Sequence, residues 1–207
     1  MGLIDAVKQE LRKDEVRKWL LTEGKEWLSS IAIAVVLVFG IIRPFIVQAF
    51  KIPSSSMYPT LMIGDKLFVN KFIYRFRPPK RGDIIVFRYP GNPNDPREPK
   101  SARKKDFIKR LVAFEDEEVE IKNGKILIDG KPLEDPGTFG KFYYYNHDPF
   151  GGPDEKIRIP KDSFYVLGDN SANSTDSRFW GFVPKKNVLG KAIFRWWPPR
   201  RFGPIRS

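Results

Sequence analysis

A long apolar segment near the amino terminus is the first feature of the hydrophobic pattern. Residues 31–42 are apolar with one glycine among them, and mostly apolar neighbours extend the segment over residues 28–47, interrupted by Arg43-Pro44. A helix of about 20 residues matches the thickness of a bilayer. No small-residue cleavage site follows, as it would in a secretory signal peptide. We therefore predict an uncleaved transmembrane helix over residues 28–47, rather than a signal peptide or a buried core helix.

The short flank before this segment predicts its orientation. Residues 1–27 hold six basic and six acidic side chains, and Leu3, Val7 and Leu11 recur at helical spacing. Basic residues in short flanks are retained in the cytoplasm, whereas long domains are translocated largely regardless of charge. We expect residues 1–27 to form a cytoplasmic amphipathic segment, with a solvated helical lead-in as the alternative. Residues 48–207 are expected outside the cytoplasm.

The pattern changes after residue 50. Short apolar runs are separated by Gly, Pro and Asp, which is typical of many short strands. The dipeptides Asn123-Gly124 and Asp129-Gly130 indicate tight turns, and the first predicts a hairpin of residues 119–121 and 125–128. We predict a mainly β domain, built as an irregular antiparallel sheet or barrel, with a loop and hairpin insertion at about residues 115–162.

The composition limits the kinds of catalytic site, metal site and binding partner that the chain can have. The chain has no cysteine, which excludes disulfides, thiol catalysis and cysteine-ligated metals, and we expect no cofactor. Its net charge is +12, and the excess lies after the apolar segment because the charges of residues 1–27 balance. A basic surface of this kind can meet nucleic acid or anionic lipid. Beside a membrane helix we favour lipid, and we expect no nucleic-acid partner.

A serine cluster is the candidate nucleophile. Ser54, Ser55 and Ser56 lie between Pro53 and Pro59, which hold the backbone extended or turning a few residues beyond the apolar segment. A serine needs a base in order to attack. The chain has a single histidine, so the search for a base turns to lysine. On its own, such a cluster is more often an ordinary loop.

Lys109 is the candidate base. Side chains alternate along the predicted strand of residues 106–112, so Lys109 shares a face with Phe107 and Leu111 while Arg110 points the other way. Apolar neighbours disfavour the charged amine, so its pKa falls from the usual value of about 10.4. A neutral amine is a competent general base. The alternative is a lysine at a strand edge that extends its charge into water.

A polar loop follows the predicted strand of residues 163–167. Residues 168–178 are dense in Asp, Asn and Ser. Short polar side chains of this kind either satisfy the hydrogen bonds of their own turns or orient a neighbouring group. The residues alone leave both interpretations open.

Four segments, in this order, resemble the motif blocks of bacterial type I signal peptidases. They are Pro53–Leu61 (PSSSMYPTL), Gly64–Lys71 (GDKLFVNK), the pair Lys109-Arg110, and Gly168–Gly181 (GDNSANSTDSRFWG). The resemblance covers the apolar segment and nearly all of the domain after it. It implies a single-pass serine endopeptidase of the bacterial cytoplasmic membrane, which removes N-terminal signal peptides from secretory preproteins. Membrane lipid is the second expected partner, and proximity to the protein translocation channel stays open.

The resemblance also implies a role for each site residue. Ser56 would be the nucleophile and Lys109 the general base of a Ser–Lys dyad. Ser54, together with the backbone N–H of Ser56, would hold the oxyanion, and Ser174 would orient the Lys109 amine. Structural support would come from Asp169, Asp176 and Arg178. The expected substrate-binding wall consists of Phe50, Ile52, Met57, Leu61, Phe107 and Ile108.

The sequence departs from the family pattern in three places. Ser55 stands where glycine is usual, and Ser171 stands where arginine is usual. Residues 113–120 lack the usual glycine-proline turn, which leaves the turn geometry and the role of Glu117 open.

Two other functions fit parts of the sequence. A self-cleaving repressor-type peptidase would share the dyad and the core strands, but it lacks a membrane anchor, so the apolar segment argues against it. A non-catalytic, membrane-tethered β-domain could bind a partner through the basic and aromatic residues of segment 195–201.

Overall fold

The chain separates into two compact units, Met1–Ile46 and Val47–Ser207. The computed structural model describes residues 19, 23–38, 40, 47–135 and 137–206. In the first unit, residues 23–38 are helical and mostly exposed. Among the residues described, no helix combines the length and the apolar character that crossing a membrane requires. The expected transmembrane helix over residues 28–47 and the amphipathic segment at 1–27 extend outside the described residues, and both stay predictions.

The second unit is built on a large antiparallel sheet. Its strands are β1 Val47–Lys51, β2 Lys66–Asn70, β3 Ile84–Arg88, β4 Asp106–Ala113, β9 Ser163–Leu167, β10 Val183–Pro184, β11 Val188–Trp197 and β12 Gly203–Pro204. They follow the order β1-β2-β11-β3-β4-β9-β10, with β12 paired to β11. The prediction of a mainly β, antiparallel domain is therefore confirmed.

A smaller sheet carries the predicted hairpin. Its strands are β5 Glu118–Lys122, β6 Lys125–Ile128, β7 Lys131–Pro132 and β8 Lys156–Arg158, in the order β7-β6-β5-β8. Asn123 and Gly124 join β5 to β6 with positive φ angles of 52° and 75°. A two-residue turn with both φ angles positive matches the twist of the flanking strands, which is why this dipeptide favours a hairpin.

Helical structure in the second unit is confined to single turns. One short α-helix spans Ser177–Trp180. The 3₁₀ turns are Ile73–Arg75, Ala102–Lys104, Phe139–Lys141, Ser171–Asn173, Lys185–Asn187 and Pro199–Arg201.

One of the apolar clusters in the second unit fixes the loop that follows β1. Ile52, Met57 and Leu61 from this loop are buried together with side chains of β2, β3 and β11. Full burial of an aliphatic side chain contributes about 1.5–3 kcal/mol each. The serine cluster therefore lies on a segment that is anchored to the core on both sides.

Candidate active site

Two neighbouring residues of β4, Lys109 and Arg110, are both buried cations. Their exposed fractions are 4% and 2%. Because side chains alternate along a strand, the two side chains lie on opposite faces of the sheet. A buried charge is unfavourable unless it is paired or the group gives up its proton. The partners of each residue therefore decide what it can do.

On one face, the Lys109 amine meets the serine cluster. Lys109 Nζ lies 2.8 Å from Ser56 Oγ, and Ser54 Oγ lies 3.3 Å from the same oxygen. Ser56 is itself buried, with 6% of its surface exposed. The structure thus places the predicted nucleophile, base and oxyanion residue side by side.

The surroundings of the Lys109 amine are mainly apolar. Its other hydrogen bond goes to the backbone carbonyl of Ile108 at 3.0 Å, and among the described residues no carboxylate lies within ion-pair distance. Burial lowers the pKa of Lys109 to about 8, although the charges of Asp176 and Asp169 act in the opposite direction. An amine with this pKa is unprotonated in mildly alkaline solution, where it can accept a proton from a hydroxyl.

Phe107 supplies part of the apolar cover. Its ring centroid lies 5.7 Å from Lys109 Nζ. The ring stacks on Tyr89 at 4.7 Å and meets the edge of Trp180 at 5.4 Å. These contacts hold the phenyl ring in place, so water has little access to the amine from this side.

On the opposite face, Arg110 is neutralised by Asp169. Arg110 Nε and Nη2 each lie 2.7 Å from a carboxylate oxygen of Asp169, and Nη1 donates to the Gly82 carbonyl at 2.8 Å. The Thr60 hydroxyl also donates to Asp169. A bidentate pair of this kind is strong and fixed in geometry. Because Asp169 lies at the start of the polar loop, the pair fastens that loop to β4.

The polar loop of residues 168–178 is organised around Arg178. Arg178 Nε and Nη2 pair with Asp176 at 2.8 and 2.9 Å, and Nη1 donates to Ser171 Oγ at 2.7 Å. Asp176 also accepts the backbone N–H groups of Arg178 and Gly168. Ser171, which stands where the family usually has arginine, is thus a partner of the buried Arg178.

The polar loop holds the backbone of the serine cluster directly. The Asn170 N–H donates to the Ser56 carbonyl at 3.0 Å, and Asn170 Nδ2 donates to the Ser55 carbonyl at 3.1 Å. A Cβ at Gly168 would clash with the Ser56 carbonyl oxygen and with Ser174 Oγ. Sequence reasoning missed Asn170, because its partners are two backbone carbonyls, one of them 115 residues away, and not a recognisable side chain.

Ser174 lies in the site without the predicted bond. It is 4% exposed, and its hydroxyl has no hydrogen-bond partner among the described residues. The bond to the Lys109 amine that the resemblance implies is therefore not formed in this structure. A buried hydroxyl without a partner is unfavourable by about 1–3 kcal/mol. It is available to a group that enters or moves within the site.

Three of the six residues of the expected substrate-binding wall lie in an apolar core cluster. Ile52, Met57 and Leu61 are 2%, 1% and 0% exposed. Contact of these three side chains with a substrate stays a prediction. Phe50 and Ile108 are half-buried against the same cluster.

A cleft of about 540 Å³ opens beside the dyad. It is lined by Ser54, Ser56 and Lys109, by Phe107 and Ile108, and by part of the polar loop. On β4, pairing with β3 begins at Asp106, whereas pairing with β9 begins only at Arg110. In the described part of the chain, residues 106–109 therefore have a strand neighbour on one side only. An extended peptide can add to such an edge.

The turn after β4 forms without glycine or proline. Asp116 takes the left-handed conformation with a φ of 65°, which aspartate tolerates better than most residues. Glu117 accepts the Phe114 N–H at 2.8 Å and pairs with Arg81 at 2.7 Å. Glu117 thus has a structural role in closing this turn.

His147 packs against Phe179, with ring centroids 3.7 Å apart, and its Nδ1 contacts the Asp148 carbonyl. Within the ranges that the structure describes, no group of three or more His, Cys, Asp or Glu side chains could hold a metal ion.

Comparisons with known proteins agree on one family. The family described as "Signal peptidase, peptidase S26" matches residues 24–197. A signal peptidase I from Leptolyngbya laminosa is 43% identical over 180 residues, which cover 87% of this chain and 83% of that protein. A signal peptidase I from Pseudomonas aeruginosa is 33% identical, covering 93% and 78%. A crystal structure of a signal peptidase I from Enterococcus faecalis is 30% identical, covering 55% of this chain and 95% of that one, with a TM-score of 0.40.

Proposed function

The chain belongs to the peptidase S26 family of signal peptidases, and from that premise we propose that Ser56 and Lys109 form its catalytic dyad. The enzyme is a serine endopeptidase that removes N-terminal signal peptides from preproteins. The observation that carries the assignment is the 2.8 Å contact between Ser56 Oγ and a buried lysine amine that has no carboxylate partner among the described residues.

In the proposed reaction, Ser56 forms the covalent intermediate and Lys109 transfers the protons. With the amine neutral, the Ser56 hydroxyl donates to Lys109 Nζ. As Oγ bonds to the scissile carbonyl carbon, Nζ takes the proton and the carbonyl oxygen becomes an oxyanion. The ammonium then protonates the leaving amine nitrogen as the C–N bond breaks, leaving an acyl group on Ser56. Water hydrolyses this ester, with the neutral amine again serving as base.

Ser54 is the proposed side-chain donor to the oxyanion, next to the backbone N–H of Ser56. Its hydroxyl lies 3.3 Å from Ser56 Oγ, close to where the carbonyl oxygen would develop charge. Removing one oxyanion donor typically lowers kcat by about 10²–10³-fold. We expect Ser54→Ala to show this loss with little change in KM. Wild-type kcat in this variant would reject the assignment.

The substrate is proposed to bind as an added strand. The unpaired edge of residues 106–109 supplies backbone hydrogen-bonding groups beside the dyad, and Phe107 and Ile108 line the cleft with apolar surface. Alternate side chains of an extended peptide would then face the cleft. Shallow apolar surface favours small residues at the positions just before the cut.

We also propose that residues 28–47 anchor the enzyme in the cytoplasmic membrane, with the amino terminus inside and residues 48–207 outside. The basic residues before the apolar segment support this orientation. The positive net charge supports contact with anionic lipid. Preproteins would then reach the cleft as they leave the translocation channel. External protease added to closed, right-side-out vesicles should digest the large domain, and protection of that domain would reject the topology.

The decisive experiment is cleavage of a purified preprotein by the full chain in detergent micelles. We expect one cut, and the new amino terminus of the product should start directly after the signal peptide. The matched control is Ser56→Ala, which keeps the packing of the loop but should give no product. Cleavage by this variant, or scattered cuts by the wild type, would overturn the proposal.

A further inference from the structure

A second cavity, of about 470 Å³, takes no part in the proposed reaction. Four of its lining side chains are cations, namely Arg110, Lys141, Arg195 and Arg206, and none of the lining residues is acidic. Thr60 also lines the cavity. Cations repel one another in a confined space, so such a cluster calls for a compensating charge.

Four distant parts of the chain bring these cations together. Arg110 comes from β4, Arg195 from β11, and Lys141 from the 3₁₀ turn Phe139–Lys141. Arg206 follows β12, which pairs with Phe194 and Arg195 of β11 and so returns the end of the chain to the cavity. The arrangement is thus set by the fold and not by a run of basic residues in sequence.

Carboxylates of the protein compensate only part of this charge. Asp169 pairs with Arg110, and Asp65 is shared by Arg195 at 3.6 Å and Arg201 at 2.8 Å. In the part of the chain that the structure describes, Lys141 and Arg206 are exposed and form no ion pair. These two carboxylates thus pair with Arg110, Arg195 and Arg201, and they leave Lys141 and Arg206 without an ion pair among the described residues.

Arg195 is a partly buried cation whose ion pair, with Asp65, is long at 3.6 Å. Only 17% of its side chain is exposed. Its hydrogen bonds go to two backbone carbonyls, from Nε to Arg201 and from Nη1 to Thr60 at 3.1 Å. With the Asp65 contact through Nη1, three of the five N–H groups of this guanidinium are engaged, and two are left for another acceptor. Burial and the neighbouring Arg201 lower the pKa of Arg195, and Asp65 acts in the opposite direction.

We propose that this cavity is a binding site for a phosphate-type anion. Guanidinium groups match the geometry of phosphate oxygens, and lysine adds a mobile point charge. The anion could be a soluble phosphate or the phosphate of a lipid head group, since both present the same oxygens. The site is independent of the cleavage reaction, because its ligand would contact neither Ser56 nor Lys109.

Two probes test the proposal on the full chain in neutral detergent or on vesicles. Inorganic phosphate is titrated by calorimetry, and binding to phosphatidylglycerol vesicles is compared with binding to phosphatidylcholine vesicles. The test variant is K141Q/R206Q, which removes the two cations without ion pairs. The matched control is K186Q/R97Q, which removes one exposed lysine and one exposed arginine elsewhere. Thermal midpoints equal to the wild type should show that both variants fold.

We expect K141Q/R206Q, but not the control, to weaken binding of one probe by about tenfold or more. A loss confined to inorganic phosphate supports the site with a soluble ligand. A loss confined to phosphatidylglycerol supports the site with a lipid head group. The proposal is overturned if neither probe binds, or if the test and control variants lose affinity equally, because net charge alone would then explain the binding.

Discussion

The two faces of β4 give a buried basic side chain opposite surroundings. Among the described residues, Lys109 on one face has only hydroxyl and carbonyl oxygens within hydrogen-bond distance, whereas Arg110 on the other face is paired with both oxygens of Asp169. The two residues are adjacent and almost equally buried. The difference teaches that burial alone does not define a catalytic group. Burial without a counter-charge favours a neutral base, and burial with a counter-charge makes a structural clamp.

The largest effect on the cleavage rate is expected when Lys109 is replaced by a side chain that is always charged. Lys109→Arg puts a guanidinium where no carboxylate of the described residues lies within ion-pair distance, and that group does not give up its proton. We expect the cleavage rate to fall by at least about 10⁴-fold, as for the loss of a catalytic base. Lys109→Met should be equally inactive. The rate is measured on a preprotein under single-turnover conditions, with circular dichroism as the folding control. Activity within tenfold of the wild type in either variant would place the base elsewhere.

Removing the Arg110–Asp169 ion pair should lower the free energy of unfolding. Arg110→Met leaves the Asp169 carboxylate buried without its partner, which typically costs about 3–5 kcal/mol. The double variant R110M/D169L removes both charges and should recover most of that loss, as measured by urea unfolding. Equal instability of the single and double variants would show that the arginine acts through packing and not through charge.

Removing the buried amine of Lys109 should have the reverse effect and raise the free energy of unfolding. The pKa of Lys109 is about 8 in the folded protein and near 10.5 when unfolded, so below pH 8 the folded state holds a charged amine in apolar surroundings. Lys109→Met removes this cost and should stabilise the protein by up to about 3 kcal/mol. Wild-type stability should rise between about pH 8 and 10.5, because the folded state loses its proton first. The advantage of the variant should therefore shrink over this range, and a constant difference would contradict the shifted pKa.

The smallest expected effect concerns the loop that joins the two faces. Asn170 follows the clamp residue Asp169 and holds the Ser55 carbonyl. Asn170→Ala should lower kcat about fivefold with little change in KM, which corresponds to roughly 1 kcal/mol for one hydrogen bond. The control is Asn187→Ala, which loses a similar bond to the Arg88 carbonyl. A loss of stability without loss of kcat in Asn170→Ala would reduce its role to folding.

The sequence was informative wherever a local rule decides the outcome. Alternation along β4 predicted that Lys109 and Arg110 separate, and the Asn-Gly dipeptide predicted the hairpin between β5 and β6. Both depend on residues that are neighbours in the chain. The motif blocks supplied the pairing of Ser56 with Lys109, which strand pattern alone could not give.

The features that were missed depend on distant contacts. The burial of apolar residues such as Met57 depends on three-dimensional packing, because the sequence does not tell which apolar side chains pack inward. The unpaired hydroxyl of Ser174 depends on distances between loops. The cationic cavity combines residues of β4 and β11 with a 3₁₀ turn and the segment after β12, and each of these segments looks ordinary alone.

At Gly168 the polar loop passes so near the Ser56 carbonyl that only a hydrogen atom fits between them. Close contact between the main chains of Gly168 and Ser56 therefore helps to fix the position of the attacking oxygen, Ser56 Oγ. One added methyl group at Gly168 would push the Ser56 carbonyl, and with it the nucleophile, away from its base. A residue that performs no chemistry thus helps to fix the geometry of the dyad.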